Sequence, residues 1–155
     1  MSTQFILPSE ASASLAFCLR LNRAYAVLTR RLDNALSGVH GLSFGDFMVL
    51  YYLGHAPQQR LRRTDLAERL GLTVSGATRT LLPLEKIGLI ARQSDPRDAR
   101  VAYATLTPAG QELLNNAMVS AEAACQEVAQ VMSEKQMSSF SDVLGLLAGI
   151  SLTKA

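Results

Sequence analysis

Two short helical patterns separated by a tight turn constrain the fold of this chain more than any other feature. The first covers residues 64–71, with Thr64 as its candidate N-cap and a glycine at its end. Only Leu72 and Thr73 separate it from the second, which covers about residues 74–87 and stops before another glycine. Two short helices joined by a tight turn that contains glycine form a helix-turn-helix.

A two-stranded ribbon is predicted directly after these helices. Residues 89–92 and 100–106 have strand patterns, and the segment 94–98 between them (Ser-Asp-Pro-Arg-Asp) is rich in turn-forming residues. Residues 58–61, before the helices, are enough for a loop or one edge strand. A helix-turn-helix followed by such a ribbon, or wing, predicts a winged helix-turn-helix.

Amphipathic helices are predicted on both sides of this region. Residues 15–36 contain no glycine or proline, and their apolar side chains recur at every third or fourth position. Ser43 is the candidate cap of a second helix. Thr107 followed by a proline begins a fifth helix, and Ser133 begins a sixth. Their apolar residues form narrow stripes, which are typical of helices that pack against other helices.

Positive charge is concentrated in the middle of the chain. Residues 60–100 contain nine Arg or Lys and five Asp or Glu, a net charge of +4, whereas residues 1–59 carry +1 and residues 101–155 carry −3. Eight of the nine cations are arginines, whose forked side chains bind phosphates and base edges. This pattern favours a polyanionic partner, and the alternative is an ordinary solvated face.

These patterns together predict a mainly α-helical fold with a small β wing. We expect residues 38–106 to form a winged helix-turn-helix domain that binds double-stranded DNA. We expect residues 1–37 and 107–155 to form a helical dimerisation region. Because long helices with narrow apolar stripes need another element to cover them, the expected assembly is a homodimer.

The second helix of the helix-turn-helix has side chains that suit a major groove. Its apolar residues, expected to face inward, are Val74, Ala77, Leu81 and Leu84. The opposite face carries Ser75, Gly76 and Arg79, of which the glycine allows close approach and the arginine can reach a guanine edge or a phosphate. The alternative is an ordinary surface face. Pro83 predicts a kink or an early end of this helix.

The predicted wing tip carries a second set of charged side chains. Asp95, Arg97, Asp98 and Arg100 lie in or beside the turn, so that one guanidinium can project while another pairs with a carboxylate. A projecting arginine fits a narrow, electronegative minor groove. The alternative is a salt-bridged hairpin tip with no part in binding.

The chain resembles the MarR family of bacterial transcription regulators in several segments. These are residues 66–70 (Leu-Ala-Glu-Arg-Leu), Thr78-Arg79, 84–90, 95–100 (Asp-Pro-Arg-Asp-Ala-Arg) and 106–110 (Leu-Thr-Pro-Ala-Gly). The wing and the Leu-Thr-x-x-Gly segment are the most specific. The resemblance implies a dimeric repressor on a pseudo-palindromic operator, in which a small ligand or an oxidant weakens DNA binding.

The resemblance also implies roles for individual residues. Ser75, Gly76 and Arg79 are the base-reading candidates, Arg97 and Arg100 are the wing contacts, and Asp95 and Asp98 are their orienting partners. The further candidate DNA contacts are Thr73, Thr78 and Arg63. An effector pocket, for an aromatic or phenolic ligand, is expected between the first, second and fifth helices. Its candidate residues, each with an alternative as plain core or surface, are Arg20, Phe47, Tyr51, Tyr52 and His55.

The two cysteines, Cys18 and Cys125, form neither a disulfide framework nor a multi-cysteine metal site, and no cofactor is expected. Some MarR relatives sense peroxides through a thiol on the first helix, which makes Cys18 a candidate redox sensor. The alternative is that both cysteines are small apolar residues in the core.

Other classes of protein fit the sequence less well. Residues 41–45 match G-x-S-x-G, but the residues before them are helical, 155 residues are too few for the hydrolase sheet and the only later histidine is His55, so no enzyme is expected. The longest apolar runs, such as residues 47–53, are too short for a membrane span, and the N-terminus lacks the basic start of a signal peptide. A cytoplasmic protein is therefore expected. A winged helix that binds only other proteins is the alternative from another class.

Overall fold

The structure is a computed structural model and describes residues 12–149. Its elements in chain order are α1 (Ala13–His40), α2 (Phe44–Gly54), a single 3₁₀ turn (Pro57–Gln59), β1 (Arg60–Arg62), α3 (Arg63–Arg69), α4 (Val74–Lys86), β2 (Ile90–Ser94), β3 (Ala102–Leu106), α5 (Pro108–Ala129) and α6 (Glu134–Leu147). The fold is mainly helical with a small antiparallel sheet, which confirms the predicted winged helix-turn-helix architecture. In the described part of the chain, no helix combines the length and the apolar character needed to cross a membrane.

Local signals fix most of the helix ends. The Ser43 hydroxyl accepts a hydrogen bond from the Asp46 N–H, and the Asp46 carboxylate accepts one from the Ser43 N–H, so α2 begins with a full capping box. The predicted cap at Thr64 is wrong, because α3 begins one residue earlier and has no side-chain cap. Gly71 adopts φ +65° in the turn between α3 and α4, a conformation that L side chains rarely adopt. Pro83 does not end α4, which continues to Lys86.

The sheet has the strand order β1-β3-β2, and both pairs are antiparallel. Residues 58–61 were predicted to form a loop or an edge strand. The structure has an edge strand there, β1 (Arg60–Arg62), which pairs with β3 on the side opposite β2. Tyr103 in the middle of β3 is paired with Arg62 on one side and Gln93 on the other. The wing is therefore anchored to the strand that leads directly into α3.

The core lies between the sheet and α2, α3, α4 and the first half of α5. Its fully buried side chains include Val49, Leu50, Leu53, Leu66, Leu81, Ile90 and Leu114. The second half of α1 packs on α5, and there Leu32, Leu36, Ala117 and Ala121 are buried. The helix-turn-helix is thus held by the same core that supports the wing.

The apolar stripes outside this core are mostly uncovered within the single chain. On α1, Phe17 is 46% exposed and Leu21 is 38% exposed, and α6 has no buried residue at all among those described. On α5 the buried positions are Gly110, Leu114, Ala117, Ala121 and Ala124. The three- and four-residue spacing of its apolar residues predicts instead a stripe that includes Met118 and Cys125, but Met118 is only partly buried and Cys125 is exposed. Alanines line the buried face, and their small size allows α1 to approach α5 closely.

Candidate nucleic-acid interface

The start of α4 presents a polar, open face. Thr73 caps the helix, with its hydroxyl oxygen 3.0 Å from the Gly76 nitrogen that donates to it. Ser75 and Arg79 are exposed, whereas Ala77, Leu81 and Leu84 of the same helix are buried. Val74 was expected to face inward but is 54% exposed, because it occupies the first helical position, beyond the edge of the core. Its exposure adds an apolar side chain to the open face.

The wing tip is built on two carboxylates. Asp98 accepts hydrogen bonds from the backbone N–H of Arg100 at 3.0 Å and from its guanidinium, through Nε and Nη2, at 3.1 Å each. This hydrogen bonding from Arg100 lowers the pKa of the Asp98 carboxyl below its ordinary value. Asp95 instead accepts from the backbone N–H of Arg97 at 2.7 Å. Asp95 therefore orients the backbone of Arg97 and not its guanidinium. The Arg97 side chain is exposed.

The side chain of Arg63 is enclosed between the two helices of the helix-turn-helix. Its side chain is only 9% exposed and forms an ion pair with Glu85 of α4. The Nη2 atom of Arg63 is also buried and has no hydrogen-bond partner among the described residues. The DNA contact predicted for Arg63 stays a prediction, and the charge of this side chain is already paired inside the helix-turn-helix.

A basic cavity of about 390 Å³ separates the helix-turn-helix from the wing. Its polar lining residues are Arg62, Arg63, Thr64, Thr78, Arg92 and Arg100. Sequence reasoning placed Arg100 and Thr78 at the interface but gave no individual role to Arg62 and Arg92. In the sequence, Arg62 and Arg92 contribute only to the total of basic residues in the middle of the chain. They come together because β1 and β2, which are distant in sequence, both pair with β3. Guanidinium groups clustered on an open cavity can bind a phosphate backbone.

The five candidate effector residues are not brought into one pocket. Phe47 is buried in the core, and the Tyr51 and His55 rings lie 4.2 Å apart between centroids on one side of α2. Tyr52 lines a cavity of about 910 Å³ together with charged residues of α3. Arg20 lies elsewhere, in a groove of about 420 Å³ between α1 and α5.

The thiols of Cys18 and Cys125 are both exposed in the described chain. Their expected core positions are therefore wrong for the single subunit, because the stripes that carry them lie outside the core. Partial burial, together with the nearby Glu122, raises the pKa of the Cys125 thiol, which disfavours the reactive thiolate. No group of three metal-ligating side chains is found within residues 12–149.

Comparisons with known proteins agree with this geometry. A sequence profile described as MarR family matches residues 40–101. The HTH-type transcriptional regulator MhqR of Bacillus subtilis is 29% identical over 131 residues, which is 84% of this chain and 88% of the relative. Sco3205 of Streptomyces coelicolor, a MarR family transcriptional regulator whose structure is in complex with DNA, has a TM-score of 0.82 and 26% identity, covering 96% of this chain and 95% of that one.

A second solved structure contains a small molecule. CouR of Rhodococcus jostii RHA1, bound to p-coumaroyl-CoA, has a TM-score of 0.79 at 22% identity, covering 92% of this chain and 99% of that one. The relatives bearing a functional name are transcriptional regulators and not enzymes.

Proposed function

We propose that this chain is a DNA-binding transcriptional regulator of the MarR family, and that it is a repressor that binds a pseudo-palindromic operator as a homodimer. The observation that carries the proposal is the juxtaposition of the open face of α4 with the basic cavity and the wing. Such a surface can contact both grooves and the backbone between them. The proposed site of action is the cytoplasm.

In the proposed complex, α4 enters the major groove and the wing enters the adjacent minor groove. Ser75 and Arg79 are exposed on α4 and read base edges, while Gly76 permits close approach. Arg97 projects from the wing, and Arg100 with Asp98 forms its supporting ion pair. Two such units in a dimer require half-sites about 10 base pairs apart or a multiple of that spacing.

The dimer proposal rests on the uncovered stripes of the terminal helices. Met137, Phe140, Leu144 and Leu147 are between 42% and 58% exposed on α6, spaced by three or four residues. We propose that residues 1–37 and 107–155 of two subunits cover these stripes, and that residues 38–106 form the DNA-binding domain. This pairing also sets the distance between the two α4 helices.

The Phe140→Glu variant is expected to weaken the dimer by at least about a hundredfold in dissociation constant, because a carboxylate replaces an apolar contact in the proposed interface. Sedimentation velocity at several protein concentrations measures the change. Ser138→Glu is the matched control, since it adds the same charge to the opposite side of α6 and should leave the dimer intact. A Phe140→Glu protein that remains dimeric at nanomolar concentration contradicts the proposed interface.

We propose that the effector is a small aromatic or phenolic molecule. The support comes from CouR, which is bound to p-coumaroyl-CoA, and from the aromatic side chains that line one side of α2. Tyr51, Tyr52 and His55 are the candidate contacts; of these, Tyr52 lines the cavity of about 910 Å³, whereas Arg20 lines a different groove. The alternative trigger is oxidation of Cys18, which is exposed.

Arg79→Ala is expected to weaken operator binding about 5- to 150-fold and to relax base preference at one position of each half-site. The operator is first selected by the wild-type protein from a random duplex pool, and binding is then measured by fluorescence anisotropy across a salt series. Arg30→Ala, which removes an exposed arginine of α1, controls for the change in net charge. If Arg79→Ala discriminates operator from random DNA as well as the wild type does, its base-reading role is wrong.

The complex of the wild-type protein with the selected operator also tests which signal releases the protein from DNA. Release by 4-hydroxyphenylacetate or p-coumarate supports the effector proposal, whereas release by peroxide that is lost in Cys18→Ser supports the redox alternative. A wild-type protein that shows no salt-dependent binding to any duplex contradicts the whole proposal and leaves the protein-interaction alternative.

A further inference from the structure

Tyr103 connects parts of the molecule that the proposed DNA interface needs to hold together. It is half-buried in the central strand β3, where it pairs across the sheet with Arg62 of β1 and Gln93 of β2. Directly paired residues point to the same side of a sheet. The Tyr103 side chain therefore shares a face with Arg62.

The hydroxyl of Tyr103 reaches the wing tip. It donates a hydrogen bond to Oδ2 of Asp95 at 3.2 Å, and Oδ1 of the same carboxylate accepts from the backbone N–H of Arg97 at 2.7 Å. Both oxygens of Asp95 are thus engaged, one from the sheet and one from the tip. A phenol on a rigid strand fixes the carboxylate, and the carboxylate fixes the backbone from which Arg97 projects.

The other side of Tyr103 faces the arginines of β1. The Arg60 guanidinium carbon lies 4.6 Å from the centroid of the Tyr103 ring, a cation–π distance. Arg62, which is paired with Tyr103 across the sheet, lines the basic cavity beside α4. One aromatic side chain therefore contacts the wing tip and Arg60, and it lies on the same face of the sheet as Arg62.

We propose that Tyr103 is a positioning residue of the DNA interface. Through Asp95 it sets the direction in which Arg97 enters the minor groove, and through its ring it holds Arg60 over the adjacent backbone. Binding is weakened by the conformational entropy that long side chains and loops lose when they become ordered at an interface. A contact that already orders them in the free protein reduces this loss on binding. The inference deepens the proposed function and depends on it.

A double-mutant cycle tests the coupling. Tyr103→Phe keeps the ring and removes the hydroxyl, so it is expected to weaken operator binding about fivefold in the wild-type background and less than about twofold in the Arg97→Ala background. A merely structural role for Tyr103 weakens binding by the same factor in both backgrounds. Tyr25→Phe, which removes the hydroxyl of an exposed tyrosine on α1, is the matched control.

A second variant keeps the test valid if Tyr103→Phe folds poorly in thermal denaturation. Asp95→Asn retains the size of the side chain and removes its charge, and it is expected to show the same dependence on Arg97. Equal losses in both backgrounds, or unchanged binding by both variants, overturn the inference while leaving the proposed function standing. A wild-type protein that binds no duplex overturns both.

Discussion

Replacing Glu85 by glutamine is expected to lower the free energy of unfolding by about 3–5 kcal/mol, the largest effect that we expect from any single polar substitution in this chain. The Glu85 carboxylate is the partner of the Arg63 guanidinium, and the two side chains are only 19% and 9% exposed. Arg63 is the first residue of α3 and Glu85 lies near the end of α4. Their ion pair thus joins the two helices of the helix-turn-helix.

The size of the effect follows from the chemistry of arginine. A guanidinium keeps its proton at any pH that a protein tolerates, so Arg63 cannot become neutral when its partner is lost. The amide oxygen of a glutamine at position 85 can still accept one hydrogen bond, but it carries no negative charge to balance the guanidinium, whose Nη2 atom already lacks a partner among the described residues. The buried charge must then draw in water or separate α3 from α4.

Urea denaturation followed by far-ultraviolet circular dichroism measures this loss, since the chain contains no tryptophan. Protein concentration is held constant because a dimer's apparent stability depends on it. Glu68→Gln removes an exposed carboxylate of α3 and serves as the control. The double variant Arg63→Met with Glu85→Met should recover stability to within about 1 kcal/mol of the wild type, because an apolar pair of similar size needs no charge partner. A loss below about 1 kcal/mol for Glu85→Gln contradicts the importance of this pair.

Arg63 also shows what the sequence could not reveal. Several of its sequence neighbours are polar, and the sequence therefore made Arg63 a candidate DNA contact. The residue that buries it lies on a different helix, 22 positions away. Local patterns contain no information about such a partner, whereas they placed Ser43 and Thr107 correctly as caps, because a cap acts within three residues.

The terminal helices show a second limit of the same kind. Periodicity predicted α1, α5 and α6, yet beyond Leu114 the buried face of α5 consists of Ala117, Ala121 and Ala124 rather than the larger residues beside them. Hydrophobic patterns favour large side chains, but close packing of two helices favours small ones. In the proposed homodimer a second subunit covers the large residues of α6, and the sequence of one chain does not locate the contact.

Gly110→Ala is the second substitution with a large expected effect, a loss of about 3 kcal/mol of stability, although alanine is the better helix former. Gly110 is buried in the first turn of α5. A Cβ atom at this position would overlap the backbone carbonyl oxygen of Leu89 and lie 2.7 Å from Cδ1 of Leu106. Because the obstacle is mainly backbone, it cannot rotate away as the end of a flexible side chain can.

This close approach explains the Leu-Thr-x-x-Gly segment physically. The Thr107 hydroxyl accepts from the Gly110 N–H at 3.1 Å and lies within donating distance of the carbonyl oxygens of Gly88 and Leu89, at 2.7 and 2.9 Å. The Thr107 N–H donates to the Leu89 carbonyl at 3.2 Å. The threonine caps α5 and ties it to the end of the helix-turn-helix, and only a glycine three residues later leaves room for that junction.

Gly38→Ala separates steric overlap from helix propensity. Gly38 also lies inside a helix, α1, but a Cβ atom there would meet nothing within 4 Å. Alanine at this position is therefore expected to raise stability by about 0.5–1 kcal/mol, opposite in sign to the effect at Gly110. Urea denaturation of both variants at equal concentration compares them directly. If both substitutions stabilise the protein, α5 does not press against the backbone at Leu89, and the junction between the wing and the terminal helices is looser than the structure shows.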